Sequence, residues 1–283
     1  MSAATGIADH SRPARAYDRV RGLLRVLHVI AAADFKLKYS GSALGYAWSL
    51  IKPFALFTML YLVFGRIFKL GAISHYYSLS LLLGICLVTF FNDATLLGMY
   101  SLVARESLLR KLAFPRLIVP TSATLTAAIT FGVNLIAIAA FVIWKHLVPQ
   151  WNWFLLIPLV IELYVFILSV ALILSALFVR FRDIGQIWEL VLQLLFYASP
   201  IVYPIGYLPP WGRKICFFYP FTQVLQDVRS IVLYPDLKPN RLTVADAFGT
   251  SAARLIPIAI VLLLGLAALA LFRREEPYFA ERV

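Results

Sequence analysis

The sequence predicts an all-α polytopic membrane protein: six transmembrane helices, an N-terminal amphipathic helix at the membrane interface, and re-entrant helices between spans five and six. Three observations carry this prediction. Of 283 residues, 61% are hydrophobic and 14% charged, where a soluble domain carries about 25% charged residues. Mean hydropathy is +0.83. The apolar residues fall in blocks of roughly 20, the length of a bilayer-crossing helix.

The first 45 residues read as a cytoplasmic arm. Within 17–31, Tyr17, Val20, Leu23, Leu24, Leu27 and Ile30 recur at helical spacing, while Arg21, Arg25 and His28 lie off that face. Such a helix lies in a membrane interface; the alternative is a solvated basic arm. The arm lacks the apolar core and small-residue cleavage site of a signal peptide. Spans are expected at 46–68, 78–98, 117–143, 153–178, 186–202 and 253–272 within a transmembrane domain of 46–272, and 273–283 forms a cytoplasmic tail. The fifth is short and closed by Pro200 and Pro204. After it, "YPIGYLPPWGRKICFFYPF" and "TQVLQDVRSIVLY" are apolar and aromatic, but proline breaks them before spanning length. They read as re-entrant or interfacial helices, or as a folded loop outside the membrane.

Lys and Arg set the orientation. With both termini in the cytoplasm, the basic arm, Arg105, Arg110, Lys111, Arg116, Arg180, Arg182, Arg273 and Arg274 all lie inside. The first two outer loops keep only Arg66, Lys69 and Lys145. The last loop is the misfit, with Arg213, Lys214, Arg229, Lys238 and Arg241. The net charge of +12 therefore reads as basic cytoplasmic loops facing anionic lipid, not as a nucleic-acid surface.

Enzyme signatures are absent. No Gly-Lys pair exists, so there is no phosphate-binding loop of the Walker type, and HExxH, CxxC and GxSxG are missing. His10, His28, His75 and His146 are scattered, Glu275-Glu276 sits in the tail, and Cys86 and Cys216 read as two inert thiols. No metal site is expected.

What remains is polar and aromatic patterning at lipid depth. Glu162 in the fourth span either lines a path or bonds a neighbouring helix. Lys52 reads as snorkelling to the headgroups. Ser122, Thr126, Thr130 and Asn134 form a polar stripe at strict i+4 spacing, for packing or for a pore lining. Phe54, Phe57, Tyr61, Phe64 and Phe68, spaced 3, 4, 3 and 4, share one face of the first span. That stripe is either packing and lipid contact or a surface on which sugar rings stack. "DIGQ", Asp183 to Gln186, reads as a capping box opening the fifth helix.

"DFKLKYSGSALGYAWSLIKPF", "LLRKLAFPRLIVP", "VRFRDIGQ" and "LLFYASPIVYP" resemble, in order and over nearly the whole chain, the signature stretches of ABC-2 type permeases. The nearest branch exports O-antigen, capsule and teichoic acid. The resemblance implies a homodimer bound to two copies of a separate ABC ATPase subunit, which binds the ATP and Mg; this chain needs no cofactor. It implies a coupling helix at about 100–115, with Arg105, Glu106, Arg110, Lys111, Phe114, Pro115 and Arg116, that docks on the ATPase. Pro115 would end that helix. It implies a gate region at about 202–252, flanked or lined by Tyr197, Pro200, Tyr203, Pro204 and Trp211. Arg180 and Arg182 would receive the phosphates of a lipid-linked glycan, unless they are simple topology charges. Phe54, Phe57, Tyr61, Phe64, Phe68 and Glu162 would line the glycan path. The expected chain is thus a bacterial inner-membrane permease without its own nucleotide site. The alternatives are a permease for a drug or small lipid and a membrane-embedded transferase.

Overall fold

A computed structural model describes residues 11–39, 44–72, 76–106, 115–233 and 242–279. Among them every regular element is helical. Among the described residues five helices are long and apolar enough to cross a membrane. An N-terminal helix, α1 (Ser11–Tyr39), precedes α2 (Trp48–Leu60). A short 3-10 lead-in at Gly45 and a π-helical extension, Tyr61–Ile67, bring α2 to spanning length. Pro53 lies inside α2, where it removes a backbone donor near the start. Then come α3 (Tyr77–Ala104), α4 (Ile118–Trp144) and α5 (Leu156–Arg180), the last led in by a 3-10 turn from Trp151.

The expected fifth span is a 15-residue helix, α6 (Ile184–Ala198). Fifteen residues rise about 22 Å, short of the ~30 Å hydrocarbon core. Two short helices, α7 (Pro210–Phe217) and α8 (Pro220–Val232), each begin on a proline, which suits a first helical position because its missing N–H is not needed there. A five-residue turn of helix, α9 (Val244–Phe248), and α10 (Leu255–Glu275) complete the chain.

The bundle is built around α3. Within its most apolar window 72% of residues are buried, against 17% for α2 and 22% for α10. It packs on α4 and α5; α10 packs on α5, α1 on α4, and α8 on α3 and α5. Gly98 permits the closest of these crossings: a Cβ there would sit 2.6 Å from the Cβ of Ala171, so any side chain would push α3 and α5 apart. Phe91 of α3 gathers Phe166, Trp188, Tyr219 and Phe221 from α5, α6 and α8 into one aromatic knot. Trp188 also donates to Thr95 Oγ1 at 3.1 Å. These contacts fasten α6, which otherwise buries only Gly185 and Leu192.

The polar stripe of α4 is turned inward. Ser122, Thr126, Thr130 and Asn134 are all buried. Thr126 donates to the Ala31 carbonyl of α1 as well as to its own helix. The expected capping box at Asp183 does not form. Asp183 itself has helical dihedrals and makes no side-chain cap bond; the chain turns at Phe181, whose carbonyl accepts from the Ile184 amide, so Asp183 is already inside the turn that starts the helix. A capping box does occur at α9, where Thr243 and Asp246 bond reciprocally.

Candidate functional site

Two polar regions sit at opposite ends of the bundle. The first surrounds the segment joining α3 to α4. Arg110, Lys111 and Phe114 lie outside the described residues, so only the flanks are described. Arg105, at the end of α3, pairs with Asp34 of α1 and donates to Ser122 Oγ at 2.9 Å. Arg116 donates to the backbone carbonyl of Glu276 beyond α10. Pro115 is exposed and its carbonyl accepts from the Ile118 amide, opening α4. Glu106 is half-buried. Lys38 pairs with Asp93 at 3.2 Å, a second tie from α1 to α3. The charged segment is thus bracketed by arginines that clamp both chain ends onto the bundle. Sequence reasoning missed Asp34 and Asp93, whose partners are 71 and 55 residues away.

Arg180 and Arg182 are exposed on the same end. Arg180 lies over the Phe181 ring at 5.0 Å and Arg182 over Phe178 at 5.2 Å. Cation–π contact of this kind holds a guanidinium in place while leaving its N–H edges exposed.

The second region is formed by the chain between α6 and α8. Tyr197 and Trp211 are largely exposed, and Pro200 is buried. Tyr203 folds back to donate to the Ala198 carbonyl at 3.0 Å. Pro204 precedes a single 3-10 turn, Ile205–Tyr207. The organising residue is one that sequence reasoning set aside as a misplaced charge. Arg229 of α8 is 5% exposed. Its guanidinium donates to the carbonyls of Pro200 at 2.6 Å, Ile201 at 2.7 Å and Ser80 at 3.1 Å. No carboxylate among the described residues pairs with it. Gly84 makes the room: a Cβ there would stand 3.0 Å from Arg229 Nη2. Tyr77 supports the same loop through its hydroxyl, which donates to the Val202 carbonyl at 2.9 Å. A single arginine therefore joins α8, the end of α6 and α3. The sequence signal for it was an arginine four positions from the end of a short amphipathic helix.

Glu162 lies beside α8, not on the α2 side of the bundle. It lines a cavity of about 540 Å³ with Gln223, Asp227 and Arg254. The aromatic residues of α2 do not form one uniform face. Phe57 is 8% exposed and meets Phe141 of α4 edge-on. Tyr61 stacks between Phe57 and Tyr77. Phe54 and Phe64 are half-buried, and Phe68, 65% exposed, stacks on Phe64. The π-helical turns from Tyr61 onward widen the helix and break the 3-4 register. The structure therefore brings Phe57 and Tyr61 together with α3 and α4 and leaves Phe68 outside. It does not bring Glu162 to the aromatic stripe.

Among the described residues no group of three or more His, Cys, Asp or Glu could hold a metal ion.

A family model described as ABC-2 type transporter matches residues 25–233. The chain is 25% identical over 260 residues to an O-antigen export system permease protein RfbA of Klebsiella pneumoniae, covering 92% of this chain and 95% of that protein. A second protein of that name from the same organism is 26% identical over 212 residues, covering 75% and 81%. The O-antigen export system permease protein RfbA of Myxococcus xanthus is 26% identical over 265 residues, covering 93% and 96%. The match takes in α2 to α8, from the long apolar helices to the arginine-anchored loop, and on that basis this multi-pass membrane chain belongs to the ABC-2 type transporter family.

Proposed function

We propose that this chain is the membrane subunit of an ATP-driven exporter that moves a lipid-linked polysaccharide across the bacterial inner membrane. The observation that carries the reading is the end-to-end similarity to permeases named for O-antigen export, over more than nine-tenths of two of those proteins. The architecture in this reading has six crossings, with α6 and the loop after it completing the fifth. Its α1 lies in the membrane interface and α7 and α8 are re-entrant. Both termini are cytoplasmic, with an arm at 1–45, the transmembrane domain at 46–272 and a tail at 273–283. Two copies pair, and the exposed apolar residues Ile187, Leu190 and Leu194 of α6 favour a second copy as their cover.

ATP and Mg bind to a separate ATPase, two copies per dimer. The segment from Arg105 to Arg116 docks on it. The bracketing contacts of Arg105 and Arg116 support that role, since a force received there would pass to α1, α4 and the tail together. Arg180 and Arg182 take the lipid phosphates, with exposed N–H edges suited to phosphate oxygens. The glycan passes the half-buried and exposed rings of α2 (Phe54, Phe64 and Phe68), with Phe57 and Tyr61 as their packed base. Tyr197, Pro200, Tyr203, Pro204 and Trp211 shape the gate.

Deletion of the gene in the parent bacterium tests the reading. Undecorated surface and accumulated lipid-linked polymer inside the cell are the expected outcome, restored by the wild-type chain. Unchanged surface polysaccharide would remove glycan export from consideration. Single cysteines at Phe181 and Trp151 test the orientation: the first should label only from the cytoplasm and the second only from outside. Purified with its ATPase, the complex should lose substrate-stimulated hydrolysis on Arg110→Ala or Glu106→Ala, while the chain alone hydrolyses no ATP.

A further inference from the structure

The cavity beside Glu162 is built from α5, α8 and the start of α10, and it is rich in acceptors that lack donors. Gln223 is 4% exposed. Its amide nitrogen donates to Asp227 Oδ2 at 2.8 Å and lies beside the Glu162 carboxylate. That fixes the amide orientation, and the oxygen Oε1 then has no hydrogen-bond partner. Glu162 Oε1 is likewise buried and unpartnered. Buried polar atoms without partners are rare and costly in native proteins, so two on residues that line one cavity favour a donor-bearing ligand toward which the two side chains turn. The amide oxygen is an acceptor only, the Glu162 oxygen accepts while the carboxyl is ionised, and both belong to residues that line the same space.

We propose that this cavity is a binding subsite for a hydroxyl-bearing sugar unit. The proposal rests on the exporter reading for its orientation, which puts the cavity on the outer side of the membrane. Its volume of about 540 Å³ falls within the ~300–1,000 Å³ range of small-molecule sites. Vicinal hydroxyls of a sugar donate to a carboxylate and an amide oxygen together. The Ile231 and Ile258 side chains, also in the lining, meet the C–H faces. A divalent cation fits less well. It wants six or more oxygens, Asp227 already accepts from Gln223, and the Arg254 guanidinium stands in the same lining. The site also has a mechanical meaning. Its floor is α8, whose buried Arg229 is bonded to the loop after α6, so a bound sugar would join that loop to α5 and α10.

The test uses the whole chain in cells that make the polymer. A photo-crosslinking residue replaces Ile231. Irradiation should give subunit carrying glycan; Glu162→Gln should lower that yield about tenfold, the effect of removing one charged hydrogen-bond acceptor, and Asp227→Asn, which weakens the bond that orients the Gln223 amide, should lower it less. Both substitutions keep side-chain size, and melting of the purified variants checks that they fold. Purified wild-type protein titrated with methyl glycosides should show saturation-transfer signals that Glu162→Gln removes. Absent crosslinks and absent transfer, with polymer still reaching the surface, would overturn the subsite and leave the exporter reading intact. Crosslinks to phospholipid alone would overturn it too. So would stabilisation by calcium that EDTA reverses and Glu162→Gln abolishes, because that identifies a cation site. Loss of the exporter reading has its own signature: surface polymer that does not depend on this gene.

Discussion

The two polar ends of the bundle hold their cations differently. At one end two cations meet side-chain carboxylates, Arg105 with Asp34 and Lys38 with Asp93, while Arg116 donates to the Glu276 carbonyl. At the end carrying α7 and α8, the buried cation Arg229 meets only backbone carbonyls, and the carboxylate nearby keeps an unpartnered oxygen. Ion pairs join elements that are already regular helices. At the other end the Pro200 and Ile201 carbonyls come from broken backbone, whose acceptors no helix satisfies, and Arg229 ties them to the Ser80 carbonyl in the first turn of α3. The first arrangement clamps finished parts together. The second makes a buried irregular loop possible, where an unpaired carbonyl is costly.

The contrast predicts an order of effects. Arg229→Met should be the most damaging, since it leaves the carbonyls of Pro200 and Ile201 without the arginine's donors at about 1–3 kcal/mol each and unties both from α3. A large fall in melting temperature in detergent, or failure to accumulate, is expected, and Arg229→Lys should recover only part because three donors on one atom cannot span that fork. Melting of Arg229→Met within a degree or two of wild type would show the loop to be held by something else.

Along α2 the same contrast between packed and exposed can be sharpened. Phe57→Ala should cost roughly 3–5 kcal/mol, as a buried aromatic truncation does. Phe68→Ala should stay within about 0.5 kcal/mol, and any loss of export in it would be a transport effect. Equal destabilisation by both would mean that the exposed half of the stripe is covered in the assembled protein.

The smallest effects belong to the ion pairs. A double-mutant cycle on Arg105 and Asp34, whose side chains are 19% and 29% exposed, should give a coupling of about 1 kcal/mol. The Lys38–Asp93 pair, at 30% and 39%, should give about half that and fade with salt. A reversed order would show that exposure does not govern these clamps.

Hydrophobic run length made most of the fold legible. Spans expected at 46–68 and 117–143 are observed as Gly45–Ile67 and Ile118–Trp144, because lipid-length apolar runs have few other ways to satisfy their backbone. The N-terminal helix runs beyond the amphipathic 17–31, from Ser11 to Tyr39; its pattern marked the strongest stretch, not the ends. Local chemistry was less reliable. Asp183 had the capping sequence without the geometry, while Thr243 and Asp246 had both. The candidate site was legible only where its logic is local. Glu162 stood out as a charge in an apolar run, but its neighbours Gln223 and Asp227 arrive from some 60 residues on, and nothing in periodicity brings them together. Arg229 was hidden for a related reason: counting cations by loop treats each as a solvated charge, and this one is a scaffold.

The π-helical turns of Tyr61–Ile67 carry a consequence for the history of the chain. Such a turn is an α-helix holding one residue more than its hydrogen-bond pattern accommodates. Removing a single residue from this stretch would restore the α ladder and leave both flanks facing as they do now, because the widened turn holds its extra residue within about one full rotation. One codon is thus stored in a local bulge, and relatives that differ by a one-residue gap here would still present the same flanking side chains to the same space.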